Sequence, residues 1–290
     1  MGSRAIWLLQ HTQILTFAAL LLKNRKLFAR VNFFPMDHID ILGIPVINST
    51  AKAVNQVFDG ILGRPFERCY TVYFVNAYGG NLSFEDKAFA KALKEADFLL
   101  NDGLGVDMAA WMRGRKFREN LNGSDLIDEG DFLKICAAKN YTVFVLGAKQ
   151  EVLDLAVANY RKDYPGLKIV GSHHGYFNHY GDDQSLPVVD AINASGADVL
   201  LVGFGNPRQE HWINTYKNRL RCKMAIGFGG SIDQVAKVVP RAPKFWIAIR
   251  MEWLFRLFQE PKRLWKRYLI GNLVFLSRAL VGSKGLYKEV

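Results

Sequence analysis

Six short runs rich in Val, Ile, Leu and Phe recur between residues 71 and 230, each bracketed by polar or glycine-rich stretches. They lie at 71–76, 97–101, 142–147, 168–171, 198–205 and 223–230, and runs this short and apolar read as buried strands. Between them, residues 84–95 and 150–164 repeat apolar positions at helical spacing. Strands alternating with helices predict βαβ units, and so a Rossmann-like, mostly parallel sheet with flanking helices.

Nearly every predicted strand ends in a turn rich in Gly or Asn: VNAYGG, NDGLGV, LGAKQE, GSHHGYF, GFGNPRQE and GFGGSID. Ligands of open α/β sheets bind beyond the carboxyl ends of the strands, so these turns are expected to line one cleft. Glycine there lets backbone amides approach a phosphate.

The ends of the chain differ in character. Residues 244–258 predict one helix, and a second starts at Pro261, which suits a first helical turn. Both are apolar and aromatic with Arg and Lys interleaved, which reads either as a pair packed on the core or as an arm seated on a membrane. Near the amino end, Ala5–Leu22 is apolar but interrupted by Gln10, His11 and Gln13, and is followed by Lys23, Arg25, Lys26 and Arg30. It is barely long enough to span a bilayer and is read as a membrane helix, crossing or lying in the interface. The expected division is an N-terminal membrane-associated segment over 1–36, an α/β core over 37–243 and a C-terminal helical membrane appendage over 244–290.

Charge sharpens this division. Of the formal net charge of +11, residues 1–31 contribute five basic groups and no acid, and residues 237–290 contribute twelve against three Glu, leaving the middle slightly acidic. Basic aromatic ends on an acidic core suit an anionic membrane surface and argue against a nucleic-acid enzyme. Cys69, Cys136 and Cys222 form no CxxC pair, which points to a reducing compartment and buried thiols. GxSxG, HExxH, GxxxxGK[ST], a strand-borne GxGxxG and the metal-binding DxD are all missing. His173 and His174 are adjacent, so on a strand they face opposite ways. Neither a metal nor an organic cofactor is expected.

Acids and bases at strand ends remain. Asp102, between Asn101 and Gly103, falls one residue past a strand, where a carboxylate could take a proton from a sugar hydroxyl or merely cap a turn. Asn206, Gln209 and Glu210 follow the longest apolar run as ribose, base or sugar contacts, or as a helix start. Arg241, Arg256, Arg263 and Arg267 offer guanidinium groups that can offset a diphosphate.

At these residues the chain resembles the WecG/TagA/CpsF glycosyltransferase family. The resemblance is carried in order by VNA (75–77), NDGLGV (101–106), NGSDL (122–126), FVLGAKQEV (144–152), YPGLKIVGSHHGYF (164–177), VGFGNPRQEHWI (202–213), IGFGGSID (226–233), PRAP (240–243) and MEWLFRLFQEPKRLWKR (251–267). It implies an inverting, metal-independent transfer from a UDP-sugar to an undecaprenyl-diphosphate-linked saccharide, at the cytoplasmic face of a bacterial inner membrane, in cell-wall or surface-polysaccharide synthesis. It further implies that Asp102 is the catalytic base and that Asn76 lies near the donor sugar. Gly147, Gly203, Gly205, Gln209, Glu210 and Gly229 would shape the nucleotide pocket. From the appendage, Arg256, Arg263 and either Lys266 or Arg267 would reach the site. Glucose, N-acetylmannosamine and its uronic acid all remain open as the donor sugar, as does a homo-oligomeric state. The alternative is a membrane module that binds a nucleotide or lipid diphosphate without turnover. Three features depart from the family pattern: Phe74 where Thr is usual, Lys237 where Gly is usual, and a longer amino-terminal segment.

Overall fold

The computed structural model describes residues 36–283, apart from 129 and 250. One eight-stranded sheet organises them, with strands β1 (Asp37–Ile41), β2 (Ile44–Asn48), β3 (Tyr70–Val75), β4 (Phe98–Asn101), β5 (Thr142–Gly147), β6 (Lys168–His173), β7 (Val199–Gly203) and β8 (Met224–Gly227). Their order is β1-β2-β4-β3-β8-β7-β5-β6, and only the β1–β2 pair is antiparallel. The six expected strands are all present, with ends trimmed or extended by up to three residues.

The β1–β2 hairpin was not among them. Its buried positions, Ile39 and Ile41 on one strand and Ile44, Val46 and Ile47 on the other, are interrupted by Asp40 and Pro45. A short, edge-located pair of this kind carries less apolar signal than the central strands.

The central strands are buried almost throughout, because helices cover both faces of a parallel sheet. The connection from β4 to β5 carries the chain past β3, β8 and β7. The carboxyl ends of β3, β4, β7 and β8 are thereby brought side by side although their residues are up to 150 positions apart in sequence.

Helix α1 is Ala51–Leu62, and the helical stretch expected over 84–95 is broken into α2 (Ala77–Glu85) and α3 (Lys87–Lys94). Asp86 is the cause. Its Oδ1 accepts from the Phe89 backbone amide at 2.9 Å as the cap of α3, and its Oδ2 lies 2.8 Å from His211 Nε2. Downstream come α4 (Leu104–Trp111), α5 (Phe132–Lys139), α6 (Gln150–Asp163), α7 (Asp182–Ser195), α8 (Arg208–Tyr216) and the short α9 (Ser231–Val235).

The helix expected over 244–258 is likewise two, α10 (Lys244–Ala248) and α11 (Glu252–Gln259). Pro261 opens α12 (Pro261–Trp265) as expected, and after one wide turn at Lys266–Ile270 the chain continues as α13 (Gly271–Ser283). Among the described residues no helix is long and apolar enough to cross a membrane. The membrane helix expected at Ala5–Leu22 lies outside the described residues.

The described residues from Asp37 onward cluster as one unit, and the last helix shares its core. Phe275 and Ala279 of α13 are fully buried, the Phe275 ring lying where a Cβ on Gly80 of α2 would be. Asn81 Nδ2 donates to the Gly271 carbonyl at 2.7 Å, and Arg278 Nη1 donates to the Asn81 side chain at 3.0 Å. Replacing Phe275 with Ala is therefore expected to cost about 3–5 kcal/mol, the usual loss for emptying a core aromatic site. Urea unfolding checks this, and a change near zero would show that α13 is not part of the folding unit.

Candidate active site

A cavity of about 1130 Å³ opens over the carboxyl ends of the central strands. All six glycine- or asparagine-rich turns reach it, and helices α11 and α12 close its other side with Glu252, Trp253, Arg256 and Arg263. Asp102 belongs to the β4 end and Lys149 follows β5, four strands away, so the cavity crosses roughly 19 Å at the usual spacing between strands. That length accommodates a sugar and a nucleotide together.

The β3 and β4 ends build one end of the cavity. The Asp102 amide donates to the Val75 carbonyl at 2.9 Å, which ties the residue to the neighbouring strand. Asn76 caps α2 through Oδ1, accepting from the Gly79 amide at 3.0 Å, and its Nδ2 donates to Asp102 Oδ2 at 3.1 Å. Because the cap fixes which end of the amide is oxygen, Asn76 can only present a donor to the carboxylate.

Gly103 turns the chain from β4 into α4 at φ +89°, a conformation that favours glycine, and its amide donates to Asn120 Oδ1 at 2.8 Å. Burial pushes the Asp102 pKa up, while Asn76, Arg256 and Arg267 pull it back and Asp125 adds to the rise.

The arginines differ in their readiness to bind an anion. Arg267 stacks on Tyr78 with its guanidinium 4.0 Å from the ring centre, and burial lowers its pKa. Its buried Nε has no hydrogen-bond partner, and neither Arg267 nor Arg256 forms an ion pair with another described residue. Both guanidinium groups line the cavity. Arg263 also lines it but is exposed and paired with Glu260 at 2.7 Å. Arg241 is placed otherwise: it stands off the cavity wall and pairs with Asp125, which is on the wall.

The expected pocket glycines divide in the same way. Gly203, Gly205 and Gly229 line the cavity together with Asn206 and Gln209. Gly147 lies behind the wall, at φ +146°, where an added Cβ would stand 2.6 Å from the Gly203 carbonyl oxygen. Its role is close approach of β5 to β7.

The amides of Gly205 and Gly229 both donate to Gln209 Oε1, at 3.1 and 2.9 Å. They are occupied within the protein, so Gln209 fastens the β7 and β8 loops together and these two amides are not offered to an anion, whereas the guanidinium groups are.

Two other expected contacts are fully buried away from the cavity. Asn101 donates to Asp107 Oδ1 at 3.2 Å and to the Glu119 carbonyl at 2.9 Å. Glu210 accepts from Gln209 Nε2 at 2.8 Å, and its second oxygen is buried without a partner.

Three of the wall residues outside the expectation bear on the chemistry. Asp233 and Glu252 are acids whose pKa burial raises, and Tyr78 carries Arg267. The signal for Glu252 was its place one helical turn before Arg256, at a spacing that puts both on one face. Among the described residues no group of His, Cys, Asp and Glu is arranged to hold a metal ion.

The family model for the glycosyl transferase WecG/TagA/CpsF family matches residues 39–289. A protein of Bacillus spizizenii named N-acetylglucosaminyldiphosphoundecaprenol N-acetyl-beta-D-mannosaminyltransferase is 34% identical over 187 residues, covering 64% of this chain and 70% of its own. A protein of the same name from Staphylococcus aureus is 28% identical over 226 residues, covering 78% and 86%.

Burial raises the Glu210 carboxyl from 4.5 to about 7, with hydrogen bonds from Gln209 and its own backbone amide opposing. Below about pH 4.5 both folded and unfolded chains hold the proton and the group costs nothing. As pH rises from 4.5 to about 7 the unfolded chain ionises first, and the folded state loses up to roughly 3 kcal/mol. Glu210→Gln, which keeps the oxygen that accepts from Gln209, is expected to be more stable than the parent at pH 8 and equal to it near pH 4. Denaturant unfolding at the two pH values measures the difference, and a gain independent of pH would refute the assignment.

Proposed function

This chain belongs to the WecG/TagA/CpsF glycosyltransferase family, and from that membership we propose that it transfers a sugar from a UDP-sugar to a polyprenyl-diphosphate-linked saccharide by a single inverting displacement. The observation that carries the reading is a part-buried carboxylate, Asp102, facing a large cavity that two guanidinium groups, without an ion pair among the described residues, also face. In the reaction the acceptor hydroxyl gives its proton to Asp102 as its oxygen bonds to the anomeric carbon. The bond from that carbon to the diphosphate breaks, and UDP departs with its added charge against Arg256 and Arg267.

Asn76 orients the base from one side, and the raised pKa makes it a stronger proton acceptor than a solvated carboxylate, so turnover rises with pH as the group ionises. The names of the two relatives favour an N-acetylmannosaminyl donor and an N-acetylglucosaminyl-diphosphoundecaprenol acceptor. Phe74, packed against Gly123, puts an apolar ring on the cavity wall where the family pattern has a hydroxyl.

Seating on an anionic membrane, at the cytoplasmic face, belongs to the same reading. Helices α10 to α13 expose Phe245, Phe258, Trp265, Leu269, Ile270 and Leu273, with Lys262, Arg263 and Lys266 among them. Apolar and aromatic groups interleaved with cations suit a headgroup boundary.

Two experiments test the reading. Asp102→Asn is expected to lower turnover by about 10²–10⁴-fold while donor affinity is kept, measured by UDP release with a short-chain lipid-diphosphate acceptor. Unchanged turnover removes Asp102 from the role of base. The double change Lys262→Glu and Lys266→Glu is expected to weaken cosedimentation with phosphatidylglycerol vesicles roughly thirtyfold or more, from about 1 kcal/mol for each of the two surface charges removed. Equal binding by the two proteins would put the membrane contact elsewhere.

A further inference from the structure

Glu252 is a cavity-wall carboxylate that the proposed displacement leaves unused. It begins α11, one turn before Arg256, and lines the same cavity as Asp102. An acid in the first turn of a helix complements the helix dipole, but a residue serving only that purpose has no need to face a cavity. Glu252 is part-buried, and no hydrogen bond or ion pair with another described residue reaches its carboxylate. Withdrawing an ionised carboxylate from water without a hydrogen-bond donor is costly, so a donor from outside the protein is the simplest compensation.

The neighbours of Glu252 restrict what that donor can be. Its pKa is raised first by burial, lowered by Arg241 and Arg256, and raised again by Asp102 and Asp125, so it shares the β4 side of the cavity with the base. In the proposed displacement Asp102 touches the attacking hydroxyl, which brings the acceptor ring to the side of the cavity that Glu252 shares, while Arg256, one turn further along the same helix, is left to the departing diphosphate.

Building on the function proposed above, we infer that Glu252 grips the acceptor sugar, accepting a hydrogen bond from a hydroxyl next to the one that attacks. The core then holds the reacting hydroxyl and the C-terminal arm holds its neighbour, so the acceptor ring is aligned between the two. Glu252 acts in binding and orientation and takes no proton in the reaction.

The test is a binding measurement on the whole chain, which separates it from turnover. Calorimetric titration with a water-soluble, short-chain lipid-diphosphate-linked N-acetylglucosamine is compared with titration by UDP, in the parent protein, Glu252→Ala and Glu252→Gln. Loss of a hydrogen bond to a charged group predicts a dissociation constant for the acceptor raised roughly tenfold or more in Glu252→Ala, and by less in Glu252→Gln, which keeps one accepting oxygen. The UDP dissociation constant is expected to stay within roughly twofold of the parent's, a change below 0.5 kcal/mol.

Equal acceptor affinity in all three proteins overturns the inference. A parallel loss of UDP affinity overturns it too, because it assigns Glu252 to the shape of the whole arm. Glu252→Gln carries the comparison if Glu252→Ala does not fold. Failure of the parent protein to bind this acceptor at all overturns the acceptor reading itself, and is distinguishable because it is seen without any substitution.

Discussion

The structure depends on keeping one carboxylate partly out of water without neutralising it by a direct ion pair. Asp102 meets this constraint with a single hydrogen bond from Asn76 and with the field of Arg256 and Arg267, none of which is salt-bridged to it. A direct pair would hold the carboxylate firmly ionised and make it a poor base; isolation would leave it protonated. The intermediate arrangement needs four residues from three distant segments to meet, and the order of the sheet brings the first two of these segments together. β3 and β4 are neighbours with Val75 opposite Asn101, so the residues that follow, Asn76 and Asp102, emerge side by side.

That much of the design was legible in the chain. Buried parallel strands are continuous apolar runs, and the turn after each must carry the polar chemistry, so the strand ends located the cavity before any contact was known. What could not be read was which polar residue in a turn faces outward. Gln209 and Glu210 are adjacent and equally plausible as ligand contacts, yet the helix between β7 and β8 turns one to the wall and the other into the core.

Asn101 and Asp102 divide the same way, since alternation along a strand sends neighbours to opposite faces. The pairing of Arg241, expected instead to face a diphosphate, was illegible for another reason: its partner Asp125 is 116 residues away, and no local pattern announces a long-range ion pair. Cys69 and Cys222, unrelated in sequence, likewise meet with sulfurs 3.7 Å apart at the amino ends of β3 and β8.

The glycines illustrate a more general limit. A glycine-rich turn signals either free amides for a phosphate or backbone that must pass close to another segment, and composition does not separate the two. Here the amides of Gly205 and Gly229 are both taken by Gln209, and Gly147 and Gly203 crowd each other and Ile232. These glycines therefore compact the loops, and in the proposed reaction the charge of the diphosphate falls to side chains. Moving that task from loops to guanidinium groups places it on the C-terminal helices, since Arg256 and Arg267 both lie beyond residue 243.

Those helices thereby have two faces of different character. One carries Glu252, Arg256 and Arg267 into the cavity, with Phe275 anchoring α13 in the core. The other exposes Phe258, Trp265, Leu269 and Leu273 beside Lys262 and Lys266. The Phe275 contact makes the arm a permanent part of the fold rather than a detachable tether, and the break between α10 and α11 allows the chain to redirect its polar face inward. A substrate that carries both a sugar diphosphate and a lipid has the same two-sided character. An arm that presents cations and a carboxylate to one part and apolar side chains to the other can hold both in register, which a soluble acceptor would not require.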